Sequence, residues 1–225
     1  MDPFIPMNQR TRIKICGLTR EADVAAAVAA GADAIGLVLY AKSPRAVSVV
    51  RAAELARLLP PFVMPVCLFV NADRALIDAA LQAIPQALLQ LHGDETPAEC
   101  EAIHQATGRP WLRAARMAPG FALLDFAAAH PSAAGILLDA HVDGYGGGGK
   151  AFDWSLVPHN VPRPVVLSGG LNPANVTDGI RHVRPWAVDV SSGVESAKGL
   201  KDAALMRDFC DAVREADALI ADTGR

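Results

Sequence analysis

Short apolar runs alternate with Ala-rich amphipathic stretches along nearly the whole chain. Apolar runs at 13–16, 34–39, 63–70, 87–91, 111–116, 135–139, 164–168 and 186–190 read as strands. Between them the pattern predicts helices at 21–30, 49–59, about 73–83, from Thr96 to Gly108, and at 121–129. A short helix near 153–157, a helix opened by Asn172 and Pro173, and a last one at 202–218 complete the series. Thr19 and Asn71 are expected as caps of the first and third helices. The clearest start signal is Thr96-Pro97 with Glu99 three residues on, a capping box with proline at the first helical position.

The strands are continuously apolar rather than alternating, so both of their faces are expected to be covered by helices. Eight strand-then-helix units of roughly 28 residues each fit a closed (β/α)8 barrel. A doubly wound open sheet shares the same local pattern and is the alternative. The expected layout is a loose tail at 1–10 and one catalytic domain at 11–225. The glycine-rich stretch at 146–149 is a loop inside that domain, because strand–helix alternation resumes after it.

Hydrophobic residues make up 52% of the chain and charged residues 20%, which excludes a disordered protein. A formal net charge of −3 offers no excess of cations to hold a nucleic-acid backbone. Cysteines 16, 67, 100 and 210 form neither a CxxC pair nor a dense disulfide spacing, which suits a reduced, cytoplasmic protein. No signal peptide or membrane span is read from the first residues, and no HxH or HExxH suggests a metal.

In a barrel of this kind the active site lies where strands pass into the following loops. Cys16, Arg45, His92, Asp139, Ser168, Asp189 and Ser191 all fall there. Gly17 beside Cys16 favours an exposed thiol, and a neighbourhood that lowers its pKa would make it a base. Asp139 closes an apolar strand; desolvation there would raise its pKa and suit it to donate a proton. Arg45 can pair with a carboxylate, and His92 either orients a ligand or bonds within the barrel. Gly169-Gly170 and Ser192-Gly193 follow the seventh and eighth strands, the usual phosphate position, with a short helix expected near Gly193. Lys198 and Lys201 read as solvated. Cys67, Cys100 and Cys210 read as packing residues.

These motifs taken in order resemble the phosphoribosylanthranilate isomerase family. The matching text includes KICGLTR at 14–20, DAIGLVLYAKSPRAVS at 33–48, CLFVN at 67–71, LLQLHGDE at 88–95 and LLDA at 137–140. It continues with YGGGGKAFDW at 145–154, LSGGLNPANV at 167–176 and VDVSSGVESAKGLKD at 188–202. The resemblance implies a cofactor-free, metal-free Amadori rearrangement of an aminoaldose phosphate to an aminoketose phosphate in tryptophan biosynthesis. It implies Cys16 as general base and Asp139 as general acid. Arg45 would meet the anthranilate carboxylate. The loops holding Gly169, Gly170, Ser192 and Gly193 would meet the phosphate. His92, Gly147 and Asp189 join them as substrate-binding candidates. Gly148 stands where the family usually has Thr or Ser, which removes a hydroxyl from that loop and keeps its N–H. The family occurs as monomers and homodimers, acting on a small phosphorylated substrate with no nucleic acid or membrane partner. Rival enzymes on the same scaffold fit less well. An epimerase needs metal-binding histidines and aspartates at strand ends, and indole-glycerol-phosphate synthase needs a mid-barrel lysine, whereas no lysine lies between Lys42 and Lys150. A binding protein without catalysis would not need both Cys16 and Asp139.

Overall fold

The computed structural model describes residues 10–140 and 151–223. Eight parallel strands close into a barrel in chain order, β1 to β8, with no crossover. They are β1 (Arg12–Cys16), β2 (Ala34–Val38), β3 (Met64–Phe69), β4 (Leu88–Leu91), β5 (Trp111–Met117), β6 (Gly135–Ala140), β7 (Val165–Leu167) and β8 (Ala187–Val190). Closure comes from β1 against β8, with Lys14 in register with Asp189. The open-sheet alternative is therefore excluded. Helices α1 (Glu21–Ala30), α2 (Val49–Ala56), α3 (Arg74–Ala83), α4 (Pro97–Thr107), α5 (Leu123–Ala128), α6 (Val176–Val183) and α7 (Ala203–Thr223) surround the strands. Between β6 and β7 the only helical piece among the described residues is a 3-10 turn, Trp154–Leu156, capped by Asp153.

Local chemistry sets most boundaries. The capping box at Thr96 and Glu99 forms with Pro97 in the first turn of α4. Gly31 ends α1 in the left-handed conformation, φ 92°, and its N–H returns to the carbonyls of Ala27 and Val28. Three expected caps differ. The Thr19 hydroxyl donates to the Gly199 carbonyl instead of capping α1. Asp73 caps α3, because the Asn71 side chain accepts from the Asp94 N–H. Asn172 opens a turn, accepting from the Ala174 N–H, and α6 starts only at Val176.

Side chains alternate across each strand, and the two faces have different chemistry. Outward residues such as Ile13, Ile15, Leu37, Leu89, Ile136 and Leu138 join the main core between strands and helices. Inside, Leu112, Ala114, Leu137, Val166 and Ala187 fill the N-terminal half. The inward positions nearer the C-terminal ends are polar: Lys14 and Cys16 on β1, Gln90 on β4, Asp139 on β6 and Asp189 on β8 are all buried. Beyond β8, a 3-10 turn (Ser192–Val194) leads into an antiparallel hairpin, β9 (Glu195–Ala197) and β10 (Leu200–Lys201). This hairpin is not evident in the strand pattern of the sequence. It crosses to the loops after β1 and β2: the Arg20 guanidinium donates to the Lys201 carbonyl, and a Cβ on Gly199 would lie 3.0 Å from the Pro44 carbonyl oxygen.

Candidate active site

Cys16 ends β1 with its thiol turned into the barrel mouth. Gly36, its neighbour in register on β2, makes room for it; a Cβ there would lie 2.5 Å from the sulfur. Cys16 is 5% exposed, buried rather than open to solvent as Gly17 suggested, because Arg45 packs over that glycine. The electrostatic expectation also changes. Burial pushes the Cys16 thiol above its ordinary range, with Lys14 and Lys201 pulling it down and Asp189 adding to the rise. Lys14 lies two residues before Cys16 on the same face and pairs with Asp189 at 2.9 Å, both nearly buried. Asp189 and Cys16 together hold the Lys14 ammonium charged against its desolvation.

Asp139 ends β6, 5% exposed, and faces His92 at the end of β4. Its Oδ1 accepts from the Ala140 N–H, and its Oδ2 lies 3.1 Å from His92 Nε2. The other ring nitrogen, Nδ1, lies 2.9 Å from Gln90 Nε2. With the Gln90 amide N–H donating to Nδ1, His92 carries its proton on Nε2 and donates it to the Asp139 carboxylate. The Gln90 side-chain oxygen has no partner among the described residues. An amide flip would present that oxygen to Nδ1–H and make Nε2 the acceptor for a protonated Asp139. The same heavy-atom positions thus serve both protonation states of the carboxyl. The loop carrying His92 is fixed from behind by Glu95, which accepts from the Asn71 and Gly93 N–H groups and pairs with Arg113 at 3.0 Å.

Arg45 is 7% exposed and already has a partner. Its Nε and Nη2 donate to the two carboxylate oxygens of Glu195 at 2.7 and 2.8 Å, a side-on bidentate pair. That leaves the opposite edge of the guanidinium for a ligand. Glu195 also pairs with Lys201 at 2.8 Å. Lys201, read from sequence as solvated, has a fully buried side chain. Its ammonium also donates to the Ser191 carbonyl at 3.0 Å, and the Ser191 hydroxyl donates to the Cys16 carbonyl at 3.0 Å. Lys198 is exposed, as read.

The loops after β7 and β8 meet backbone to backbone. A Cβ on Gly193 would lie 1.9 Å from the Leu171 carbonyl oxygen. One on Gly169, whose φ is 80°, would lie 2.4 Å from the Ala140 nitrogen. Only glycine fits either position. The loop after β7 is pinned by the Asn175 amide, which donates to the Gly170 carbonyl and accepts from the Asn172 N–H. Gly170, Ser192 and Gly193 are half-buried at this seam, as is Ser168. The helical piece near Gly193 is a single 3-10 turn. Gly147 and Gly148 lie outside the described residues.

The structure therefore brings Cys16, Asp139, Asp189, His92 and Arg45 to one end of the barrel, with the glycine seam on the same rim. Lys14, Gln90, Glu195 and Lys201 belong to the same network and were missed from sequence. For Lys14 and Gln90 a signal existed: each lies two residues before a strand-end candidate, on the same face. Among the described residues no cluster of three or more His, Cys, Asp or Glu side chains could hold a metal ion. No helix among them is long and apolar enough to cross a membrane.

A closed (β/α)8 barrel with buried ionisable groups gathered at its C-terminal mouth defines a barrel enzyme. Comparison with known proteins narrows the class. The family described as N-(5′-phosphoribosyl)anthranilate isomerase matches residues 13–212. The chain is 72% identical to the N-(5′-phosphoribosyl)anthranilate isomerase of Leptothrix cholodnii over 209 residues, 93% of each protein. Among solved structures it is similar to the phosphoribosyl anthranilate isomerase of Thermotoga maritima, with 39% identity, a TM-score of 0.84, and coverage of 91% of this chain and 99% of that one. A phosphoribosyl anthranilate isomerase in complex with reduced 1-(o-carboxyphenylamino)-1-deoxyribulose 5-phosphate matches at 37% identity with a TM-score of 0.79, covering 91% and 99%. The chain belongs to the phosphoribosylanthranilate isomerase family.

Proposed function

We propose that the chain performs its family's isomerisation with Cys16 as general base and Asp139 as general acid, on a substrate held by Arg45 at one end and by the glycine seam at the other. The enzyme converts N-(5′-phosphoribosyl)anthranilate to 1-(2-carboxyphenylamino)-1-deoxyribulose 5-phosphate, a step of tryptophan biosynthesis. The observation that carries the assignment of roles is the shared mouth. Asp189 lies within charge range of Lys14 beside Cys16 and of Asp139 and His92 across the barrel.

In this reading the Asp139 carboxyl gives its proton to the furanose ring oxygen. The C1′–O bond breaks and the anthranilate nitrogen lone pair forms a C1′=N⁺ iminium. The Cys16 thiolate takes the C2′ proton, and those electrons form C1′=C2′ as the iminium π pair returns to nitrogen. Ketonisation puts a proton on C1′ and removes one from the 2′-hydroxyl, so no oxidant or cofactor is needed. The iminium carries a positive charge into the mouth at the step where the thiolate is required. That charge offsets the burial that disfavours the thiolate in the free enzyme. His92 holds Asp139 in either protonation state through the Gln90 amide. Anchoring both ends of the substrate fixes C1′ and C2′ between the acid and the base.

A phosphate suits the seam of Gly169, Gly170, Ser192 and Gly193 because backbone N–H groups can approach it without an intervening Cβ. A carboxylate suits the free edge of Arg45. Freshly prepared phosphoribosylanthranilate, mixed with the protein in EDTA and followed by loss of fluorescence, tests the reading. Conversion unaffected by the chelator is expected; no conversion, or conversion abolished by EDTA, would refute it. Arg45→Ala is expected to raise KM more than it lowers kcat, and an unchanged KM would remove Arg45 from the carboxylate site.

A further inference from the structure

The hairpin after β8 carries two charged residues, Glu195 and Lys201, that the acid–base scheme leaves unused. Both are buried in the mouth. Burying a lysine side chain completely is costly unless its charge is matched, and here Glu195 and the Ser191 carbonyl match it. A chain of contacts then runs from Arg45 through Glu195, Lys201 and Ser191 to the backbone of Cys16. The charges do not cancel. Lys14, Arg45 and Lys201 face Asp189 and Glu195, which leaves one positive charge around the thiol.

We propose that Lys201 and Glu195 are positioning residues for the isomerisation: Lys201, which shares the Glu195 carboxylate with Arg45, contributes the excess positive charge that favours the thiolate of Cys16, and Glu195 keeps that ammonium in place while turning the free edge of Arg45 toward the substrate carboxylate. The proposal rests on the roles given above to Cys16 and Arg45. It goes beyond them in making the hairpin part of the reacting machinery rather than a structural appendage.

The electrostatics agree in sign. Burial lowers the Lys201 ammonium from the ordinary lysine range, with Glu195 and then Cys16 favouring its charged form; burial raises the Cys16 thiol, and Lys14 and, after it, Lys201 pull that thiol down. The other groups facing the thiol are Lys14 on β1, Asp189 on β8 and Arg45 after β2, with Tyr40 packed beside it. Asp139 and His92 face Asp189 from across the mouth. Lys14 has Asp189 to itself, whereas Lys201 and Arg45 share Glu195, so removing Lys201 takes away the excess positive charge.

The test compares Lys201→Met, Lys201→Gln and Lys201→Arg by the pH dependence of kcat/KM. Ultraviolet thiolate absorbance is recorded in parallel, with the same variant carrying Cys16→Ser as blank. Both neutral variants should form the thiolate at higher pH than the parent. They should lose about tenfold in kcat/KM at neutral pH and recover at alkaline pH; Lys201→Arg should restore the parent profile. Lys201→Gln can still bond to Glu195 and decides the matter if the methionine variant does not fold. A thiolate titration unmoved in Lys201→Gln, or a loss of activity uniform across pH, would overturn the role of Lys201. Glu195→Gln should raise KM about tenfold; an unchanged KM would overturn the role of Glu195. The titration reads the effect of the hairpin on Cys16 directly. If Cys16→Ala keeps its turnover, the general-base reading fails, and the titration still decides whether Lys201 acts on the thiol.

Discussion

Replacing Asp189 with alanine would strand the Lys14 ammonium inside the barrel. The two groups are 2.9 Å apart and each side chain is 5% exposed. At that distance and an effective dielectric constant of about 20, their attraction is roughly 6 kcal/mol. Much of it offsets the cost of taking both charges out of water, so the pair adds little net stability over an apolar pair. Removing one partner is different, because the other charge keeps its desolvation cost. The expected loss is about 3–5 kcal/mol, a large part of the roughly 5–15 kcal/mol that holds a typical domain folded. The double variant Lys14→Met with Asp189→Leu removes both charges and should recover most of that loss. Urea unfolding followed by circular dichroism reads both variants against the parent. A single variant losing less than about 1 kcal/mol, or a double variant no more stable than the single, would refute the view that the pair is matched but costly.

Other consequences are equally direct. Gly36→Ala should displace the Cys16 sulfur and cost about a hundredfold in kcat while the far-ultraviolet spectrum stays that of the parent; parental kcat would show that the thiol position is not critical. Gly193→Ala drives a Cβ into the Leu171 carbonyl and should raise KM for the phosphorylated substrate and lower the thermal midpoint, with neither change expected if the seam is only a turn. Burial pushes the Asp33 carboxyl up, but its bonds with Arg10 and the Ile13 N–H prevail, and its pKa lies below the ordinary carboxylate range. The stability this group contributes is therefore full above the unfolded carboxylate pKa and is lost as pH falls through the folded one. Asp33→Asn should flatten the acid side of a plot of urea midpoint against pH, and an unchanged slope would contradict the assignment. Burial pushes Cys67 up to about 12 and Cys100 and Cys210 up to about 11, so alkylation of the native protein near neutral pH should leave all three intact; their rapid labelling would contradict that packing.

The barrel was legible because its signal is local and repeated. Continuous apolar strands such as Gly135 to Leu138, and helix starts such as Thr96-Pro97, need only neighbours in sequence to be interpreted. The strand-end test gathered Cys16, His92, Asp139 and Asp189, and the structure brings all four to one end of the barrel, since they lie at or just beyond strand ends. What escaped depends on partners far away in the chain. Lys201 looks like a surface lysine in Gly-Leu-Lys until Glu195 and Ser191 enclose it. Arg45 looks free until Glu195, 150 residues on, takes one edge of its guanidinium. Thr19 and Asn71 are good capping residues, but Gly199 and Asp94 engage their side chains first. The exposed, low-pKa thiol expected at Cys16 failed for a related reason. Gly17 opens space that the stem of Arg45 then fills, and the resulting burial outweighs the nearby cations.

The division of labour at the mouth is tested most directly by the single-turnover rates of Cys16→Ala and Asp139→Asn on freshly made phosphoribosylanthranilate, with circular dichroism confirming that both remain folded. The account predicts that each rate falls by about two to four orders of magnitude. A rate close to that of the parent in either variant would contradict it.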